Sequence, residues 1–169
     1  MTERSGYTLA GNPLTVLGDE LSVGQSAPDF SLLNPELEKR SLSDLGDGVK
    51  VLVVVPSLDT GVCEMETIRF NKELEGIEGV RTAVISADLP FAQARFAMDK
   101  DIEQFMFLSD HYDMSFGGAY GTHIKELRLE NRSVFVLDKD NKLVYVEYLK
   151  ENTEQPQYDE VLKAVKAAL

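Results

Sequence analysis

Cysteine is nearly absent from this chain, which has one, Cys63, among 169 residues, together with two histidines and no tryptophan. A single cysteine excludes an internal disulfide bond and any zinc site built from several cysteines. The two histidines, His111 and His123, stand twelve residues apart with no pattern of metal ligands around them. The sequence therefore predicts neither a structural disulfide nor a metal site.

Long apolar runs are also absent, since none approaches the roughly 18–20 residues that a membrane-spanning helix needs. Residues 1–7 lack the apolar core of a secretion signal, so we expect a cytoplasmic protein with no membrane partner. Acidic residues outnumber basic ones by 29 to 17, which gives a formal charge of −12. This excess argues against a nucleic-acid partner, because phosphate binding depends on clustered Lys and Arg.

The order of the predicted strands and helices indicates an α/β protein with one domain over residues 1–169. Residues 49–55 are all Val or Leu except Lys50, and such an apolar run is typical of a central strand buried on both faces. Residues 7–16 predict a hairpin around Gly11-Asn12-Pro13. The other predicted elements are strands at 29–33, 80–86 and 105–108, helices at 62–74, 90–98, 115–120 and 158–169, and a hairpin of residues 133–137 and 142–149. Together they predict a thioredoxin-like fold, a mixed central sheet flanked by helices with an added N-terminal β-hairpin.

Cys63 follows the predicted central strand at the point where a helix should begin. Free backbone N–H groups and the positive end of the helix dipole favour thiolate over thiol there, and the thiolate is the nucleophile. Pro56 turns the chain at the strand end and can shield a pocket from water. Thr60, three residues before Cys63, can donate a hydrogen bond to the thiolate and then to a peroxide oxygen, and either Asp59 or Thr60 can cap the helix. The Pro-x-x-x-Thr-x-x-Cys pattern therefore indicates peroxide chemistry.

Attack of a thiolate on an O–O bond moves negative charge onto the departing oxygen, so fixed donors are needed there. A guanidinium suits this task because it stays charged and holds several donors in a rigid fork. Arg132 is our candidate, since it immediately precedes the strand at 133–137, which should lie beside the strand at 49–55. Arg69 and Arg95 are rivals. Glu64 and Glu66 would oppose ionisation of Cys63 if they faced it, which makes a nearby cation more necessary.

A series of short motifs runs along almost the whole chain in a characteristic order. They are Gly11-Asn12-Pro13, Ala27-Pro28-Asp29-Phe30, residues 56–63, Arg69-Phe70-Asn71, residues 86–93, Leu108-Ser109-Asp110-His111 and residues 132–138. In these motifs the chain resembles the thiol peroxidase branch of the peroxiredoxins. The resemblance implies that Cys63 is the peroxidatic cysteine and that Pro56, Thr60 and Arg132 complete its pocket. It also implies a thioredoxin fold, a homodimer, and reduction of hydrogen peroxide and organic hydroperoxides without a bound cofactor.

One position departs from the family pattern. Members of this branch carry a second, resolving cysteine in the helix after Asp-Leu-Pro-Phe-Ala-Gln, and Ala97 stands at that place here. The sulfenic acid formed on Cys63 cannot then be captured within the chain, so the reductant must be an external thiol, either thioredoxin or a low-molecular-weight thiol. Ala97 is either an engineered replacement or a natural one-cysteine variant. Residues 98–101, which also differ from the family's glycine-containing stretch, favour the natural variant.

Two other functions compete with the peroxidase. A peroxide sensor would react once at Cys63 and pass its oxidation to a partner protein through a mixed disulfide, which suits a chain that lacks internal resolution. A plain thioredoxin-fold binding module with an inert Cys63 would require the spacing of Pro56, Thr60 and Cys63 to be accidental. Turnover with a small thiol distinguishes the enzyme from the sensor, and a fast reaction of Cys63 with peroxide excludes the binding module.

Overall fold

The computed structural model describes residues 1–169 and contains two β-sheets and four α-helices. The strands are β1 (Glu3–Leu9), β2 (Asn12–Leu17), β3 (Leu32–Leu33), β4 (Lys39–Arg40), β5 (Val49–Val54), β6 (Val80–Ser86), β7 (Met106–Ser109), β8 (His123–Ile124), β9 (Leu129–Glu130), β10 (Ser133–Leu137) and β11 (Leu143–Tyr148). The helices are α1 (Gly61–Leu74), α2 (Pro90–Asp99), α3 (Ser115–Tyr120) and α4 (Tyr158–Ala168). No helix is long and apolar enough to cross a bilayer.

The central sheet has seven strands in the order β11-β10-β5-β6-β7-β3-β4. Strands β5, β6 and β7 are parallel, whereas β10 is antiparallel to both β5 and β11. All of β5 is buried, as its apolar run predicts. The pairing of β10 with β5 places Ser133 opposite Val54, so Arg132 lies beside the end of the strand that leads to Cys63. The mixed sheet flanked by helices confirms the predicted thioredoxin-like α/β fold.

Side chains of β5 alternate between two apolar cores because successive residues of a strand point to opposite faces. Val49, Val51, Val53 and Val55 join one core with α1, α2 and α4, and this core also contains Cys63. Leu52 and Val54 join the other core, to which α3 contributes Phe116 and Tyr120. Helices thus cover the sheet on both faces, so the end of β5 that leads to Cys63 is shielded from solvent.

The predicted N-terminal hairpin exists as β1 and β2, with a turn in which Ala10 and Gly11 both have positive φ. It is extended by β8 and β9 into a separate four-stranded sheet. Those two strands have only two residues each, too short for a periodic signal. The strand expected at 29–33 is reduced to Leu32–Leu33, because the carboxylate of Asp29 accepts the amides of Phe30 and Leu42 and holds residues 29–30 in a loop.

A buried pair of acidic residues joins α3 to the small sheet. Asp110 accepts the backbone N–H groups of Phe116 and Gly117 at 3.1 and 2.9 Å, and Glu130 of β9 accepts the hydroxyl of Thr122. Both carboxyl groups are almost completely buried. Burial, together with hydrogen bonding to Asp110 and its charge, raises the pKa of Glu130 well above its usual value. Oε1 of Glu130 has no hydrogen-bond partner, and the raised pKa favours the neutral acid beside the charge of Asp110.

Candidate active site around Cys63

Asp88, which follows β6, holds the loop between β5 and α1 by hydrogen bonds. The Asp88 carboxylate accepts the hydroxyl of Ser57 at 2.7 Å and the backbone N–H of Leu58 at 2.8 Å. Pro56, at the start of this loop, is buried. The position of the first turn of α1 thus depends on the neighbouring parallel strand and not only on its own sequence.

Thr60 is the N-cap of α1, which resolves the choice between Asp59 and Thr60. Its hydroxyl oxygen accepts the backbone N–H of Cys63 at 3.3 Å, and its hydroxyl proton is donated to the carbonyl of Ser57 at 3.1 Å. In this arrangement Thr60 orders the turn that carries Cys63. Its one hydroxyl proton is directed to Ser57, so the donation to sulfur that the spacing suggests is not made in this conformation.

Cys63 is fully buried in the first turn of α1, and its polar partner is Arg132. Nη2 of Arg132 donates to Sγ at 3.0 Å. The Arg132 side chain, only 2% exposed, also donates from Nη1 to Glu66 and from Nε to the carbonyl of Asn152 at 3.0 Å. Burial alone would lower the pKa of Arg132, but the negative charges of Glu66 and Cys63 raise it. The thiol therefore faces a permanent positive charge at a buried position, where such a charge stabilises an anion strongly.

Glu66 lies one turn after Cys63 on the same face of α1 and is fully buried. Its Oε2 accepts from Arg132, whereas its Oε1 has no hydrogen-bond partner. Burial raises the pKa of Glu66 to about 7, although the charge and hydrogen bond of Arg132 act to lower it. Ionised Glu66 competes with the thiolate for the same guanidinium, and protonated Glu66 does not.

The rival residues lie elsewhere. Arg69 pairs with Glu73 at 3.7 Å, and its guanidinium stacks 4.0 Å from the ring centre of Tyr158. Arg95 lines a surface cleft between the start of α1 and α2. At the edge of this cleft, Glu64 forms an ion pair of 2.6 Å with Lys100. Arg132 is therefore the arginine that meets Cys63, and Glu66 is the one of the two nearby acids that faces the same pocket.

Ala97 is half-buried in α2, where its side chain packs against the core that contains Cys63. Cys63 is a free thiol and the chain has no second sulfur-bearing nucleophile. Since Sγ is fully buried, a protein thiol can reach it only if the first turn of α1 opens. The chain itself therefore offers no second thiol to react with an oxidised Cys63.

Replacing Glu66 by glutamine is expected to favour the thiolate of Cys63, so that it forms at lower pH than in the wild type. The amide keeps an oxygen that can accept from Arg132 but cannot ionise, so the guanidinium is no longer shared between two anions. The ultraviolet absorbance of the thiolate, followed against pH, measures the shift. Glu64→Gln is the matched control, because it makes the same change one residue from Cys63 but at the exposed pair with Lys100. An equal shift in both variants would contradict the role of the buried pair.

Comparison with known proteins agrees with this geometry. The redoxin family pattern matches residues 22–162. The chain is 51% identical over 160 residues to the thiol peroxidase of Bacillus subtilis, covering 95% of this chain and 96% of that protein. It is 47% identical over 165 residues to the thiol peroxidase of Halalkalibacterium halodurans, covering 98% and 99%.

Solved structures show the same architecture. A peroxiredoxin-like protein of Aquifex aeolicus superposes with a TM-score of 0.90 at 40% identity, covering 98% of both chains. The thiol peroxidase of Chromobacterium violaceum superposes with a TM-score of 0.88 and covers 95% of both chains, and at 20% identity it supports the fold alone. The chain therefore belongs to the redoxin family and, within it, to the thiol peroxidases, which are peroxiredoxin-type enzymes.

Proposed function

We propose that this protein reduces hydrogen peroxide and organic hydroperoxides through the thiolate of Cys63. The observation that carries the proposal is the 3.0 Å contact between Sγ and a guanidinium that is itself buried. Cys63 lies in the first turn of α1, so its thiolate is stabilised by the full charge of Arg132 and by the helix dipole. An inert core cysteine has no need of a buried arginine.

The reaction begins when Sγ attacks the nearer oxygen of the hydroperoxide. An S–O bond forms, the O–O bond breaks, and the bonding electron pair leaves on the distal oxygen, which takes a proton from solvent to become an alcohol or water. Cys63 is oxidised to a sulfenic acid and the peroxide is reduced. Arg132 uses three of its five N–H groups on Glu66, Asn152 and Cys63. The remaining two can stabilise negative charge on the peroxide oxygens in the transition state.

Thr60 and Pro56 complete the proposed site. Thr60 is exposed at the start of α1, where its hydroxyl can turn from the Ser57 carbonyl to an oxygen of an incoming hydroperoxide. Pro56 is buried at the end of β5 and keeps water from the thiolate. Cys63, Arg132, Thr60 and Pro56 are thus the residues to which we assign the activity.

The sulfenic acid is reduced by an external thiol in our proposal, because Ala97 offers none. We propose thioredoxin or a low-molecular-weight thiol as the reductant. The thiol attacks the sulfenic sulfur and releases water, and a second thiol breaks the resulting mixed disulfide to restore Cys63. The homodimer and the cytoplasmic location suggested by the resemblance and by the N-terminal sequence stay predictions.

Peroxide consumption in the presence of a small thiol or of thioredoxin tests this proposal. The wild-type protein should consume hydroperoxide at a rate that rises with the thiol concentration, and Cys63→Ser should consume none. Glu64→Gln is the control for a change of charge beside the site without loss of the nucleophile. Consumption by Cys63→Ser equal to that of the wild type would overturn the proposal.

Without added thiol, excess hydroperoxide is expected to inactivate the protein after about one turnover, since an unresolved sulfenic acid meets a second peroxide and becomes a sulfinic acid. Mass spectrometry of the peptide that contains Cys63 should find most of it as sulfinic acid. A small thiol present from the start should prevent this. Sustained turnover with thioredoxin as fast as that of a two-cysteine relative would contradict the requirement for slow external resolution.

A peroxide sensor is the second candidate, favoured by the absence of a resolving thiol together with the complete burial of Cys63. The chemistry of the first step is the same in both cases. A sensor would form one specific mixed disulfide with a partner protein and show little turnover with small thiols. The consumption experiment therefore separates the two functions.

A further inference from the structure

Asn152 lies in the turn after β11 and is 1% exposed. Its side-chain Oδ1 accepts the backbone N–H of Arg132 at 2.7 Å, and its own carbonyl accepts Nε of the Arg132 guanidinium at 3.0 Å. One residue thus holds both the backbone and the head group of the arginine that contacts Cys63. These acceptors are neutral, so they fix the guanidinium without cancelling its charge as an ionised Glu66 does.

The side-chain amide of Asn152 is itself held by two acceptors. Its Nδ2 donates to Oδ1 of Asn131 at 2.8 Å and to the carbonyl of Thr8 at 3.1 Å. Asn131 precedes Arg132 and is also fully buried, with its Nδ2 donating to the carbonyl of Leu149 at 3.1 Å. The two buried amides therefore form a closed network around the backbone of Arg132, and such networks select one conformation.

The N-terminal hairpin of β1 and β2 forms hydrogen bonds to the segment that carries Asn152. The backbone N–H of Asn152 donates to the carbonyl of Thr8 at 2.9 Å, and the N–H of Thr8 donates to the carbonyl of Lys150 at 2.7 Å. Glu151 accepts the hydroxyl of Thr8 at 2.9 Å and the N–H of Gly11 at 2.8 Å. Backbone hydrogen bonds from Thr153 and Gly11 lower the pKa of Glu151 to about 2, so the Glu151 carboxylate stays ionised at neutral pH. The hairpin therefore reaches the active site through Asn152.

We propose that Asn152 is a positioning residue for Arg132 and that the N-terminal hairpin supports the reactivity of Cys63 through it. The inference deepens the proposed function and rests on it for its catalytic consequence. When Oδ1 and Nδ2 are removed, the backbone N–H of Arg132 loses its acceptor. The carbonyl of residue 152, which accepts Nε, also loses the two side-chain contacts that help to place it, so the guanidinium is held less firmly against Sγ. Small misplacements of a catalytic group cost large factors in rate.

The test compares Asn152→Ala with the wild-type protein in two measurements. Rapid-mixing kinetics give the rate constant for oxidation of Cys63 by stoichiometric hydrogen peroxide, which should fall about tenfold or more. The ultraviolet absorbance of the thiolate against pH should move to higher pH, because Sγ no longer meets a fixed cation. A purely structural role for Asn152 would lower the unfolding midpoint without moving the thiolate titration.

Asn34→Ala is the matched control. Asn34 is another buried asparagine, and its Oδ1 accepts the N–H groups of Glu36 and Glu38 at 3.0 and 2.9 Å in a turn that does not touch Arg132. Its loss should lower the unfolding midpoint and leave both measurements on Cys63 unchanged. If Asn152→Ala does not fold, Asn131→Ala tests the proposal instead, because it removes an acceptor of the Asn152 amide. Its thiolate absorbance should also move to higher pH.

Unchanged kinetics and an unchanged thiolate titration in the folded variant would overturn the positioning role and leave the proposed function intact. A wild-type Cys63 that reacts no faster than a free thiol would overturn the proposed function instead. In that case the thiolate titration still tests whether Asn152 positions Arg132. The two failures are therefore distinguishable.

Discussion

Replacing Arg132 by methionine is expected to slow the reaction of Cys63 with hydroperoxide by about 10²–10³-fold, the usual cost of removing one preorganised donor from a developing anion. Two effects add here. The thiolate loses the cation 3.0 Å from Sγ, and the departing oxygen loses the donors that would stabilise its charge. Rapid-mixing kinetics with stoichiometric hydroperoxide measure the combined loss.

The same substitution leaves Glu66 buried without its partner, which would destabilise the fold by about 3–5 kcal/mol if Glu66 stayed ionised. Because burial raises the pKa of Glu66 to about 7, Glu66 can take up a proton instead of staying charged. The loss in free energy of unfolding should therefore be smaller below pH 7. The double variant Arg132→Met with Glu66→Gln removes this complication. It should recover stability but not reactivity, and recovered reactivity would contradict the role of the guanidinium.

Arg132→Lys is the conservative comparison. An ammonium keeps the charge, but as a compact point charge it cannot hold the fixed fork that reaches Asn152, Glu66 and Cys63 together. Its rate should fall between those of the wild type and the methionine variant. A lysine variant as fast as the wild type would show that charge alone is sufficient and that the geometry of the fork is not needed.

Replacing Glu130 by glutamine is expected to remove a large loss of stability at high pH. The glutamine amide keeps the shape of the acid and an oxygen that can accept from Thr122, but it has no proton to lose. The folded-state pKa of Glu130 is raised, above all by burial and then by Asp110. Its contribution to stability is therefore fully present below the unfolded value of 4.5 and is lost as pH rises toward the folded pKa.

In the wild type, this one proton makes the free energy of unfolding fall by about 1.4 kcal/mol per pH unit between 4.5 and the folded-state pKa of Glu130. The glutamine variant should lack that slope, so the difference between the two proteins widens steadily with pH. Urea denaturation at pH values from about 5 to 8 measures it. A constant difference across the range would mean that Glu130 is already ionised in the folded state.

Other groups near Glu130 are shared by both proteins and should largely cancel. Burial lowers the pKa of His123, which gives a slope of opposite sign, and the charges of Asp110 and Arg128 act on the same imidazole. Glu78→Gln, at an exposed acid outside this cluster, is the control for a change of net charge. It should follow the wild-type curve.

Most of the large sheet was predictable because its signals are local. The run at 49–55 is apolar apart from Lys50 and became the fully buried β5, and the turn residues 138–141 separate two β-rich runs that pair as β10 and β11. Strands β8 and β9 could not be found this way. They have two residues each and exist only because β2 offers an edge for pairing, which is a tertiary effect.

The geometry of the candidate site was predictable where position in the fold decides it. Cys63 and Thr60 follow from a strand-to-helix turn, and Arg132 follows from the expectation that β10 lies beside β5. Asn152 and Asp88 were missed because a polar residue in a sequence usually indicates the surface. Glu66 was considered only as a repelling charge, although its place three residues after Cys63 on one helical face indicates a shared environment.

Rapid-mixing oxidation of the reduced protein by stoichiometric cumene hydroperoxide, followed by mass spectrometry of Cys63, tests the central claim most directly. A thiolate held against a buried guanidinium should react far faster than a free thiol and yield the sulfenic acid on Cys63. Oxidation no faster than that of a free thiol would contradict the account, and the peroxidase and the sensor would fall together.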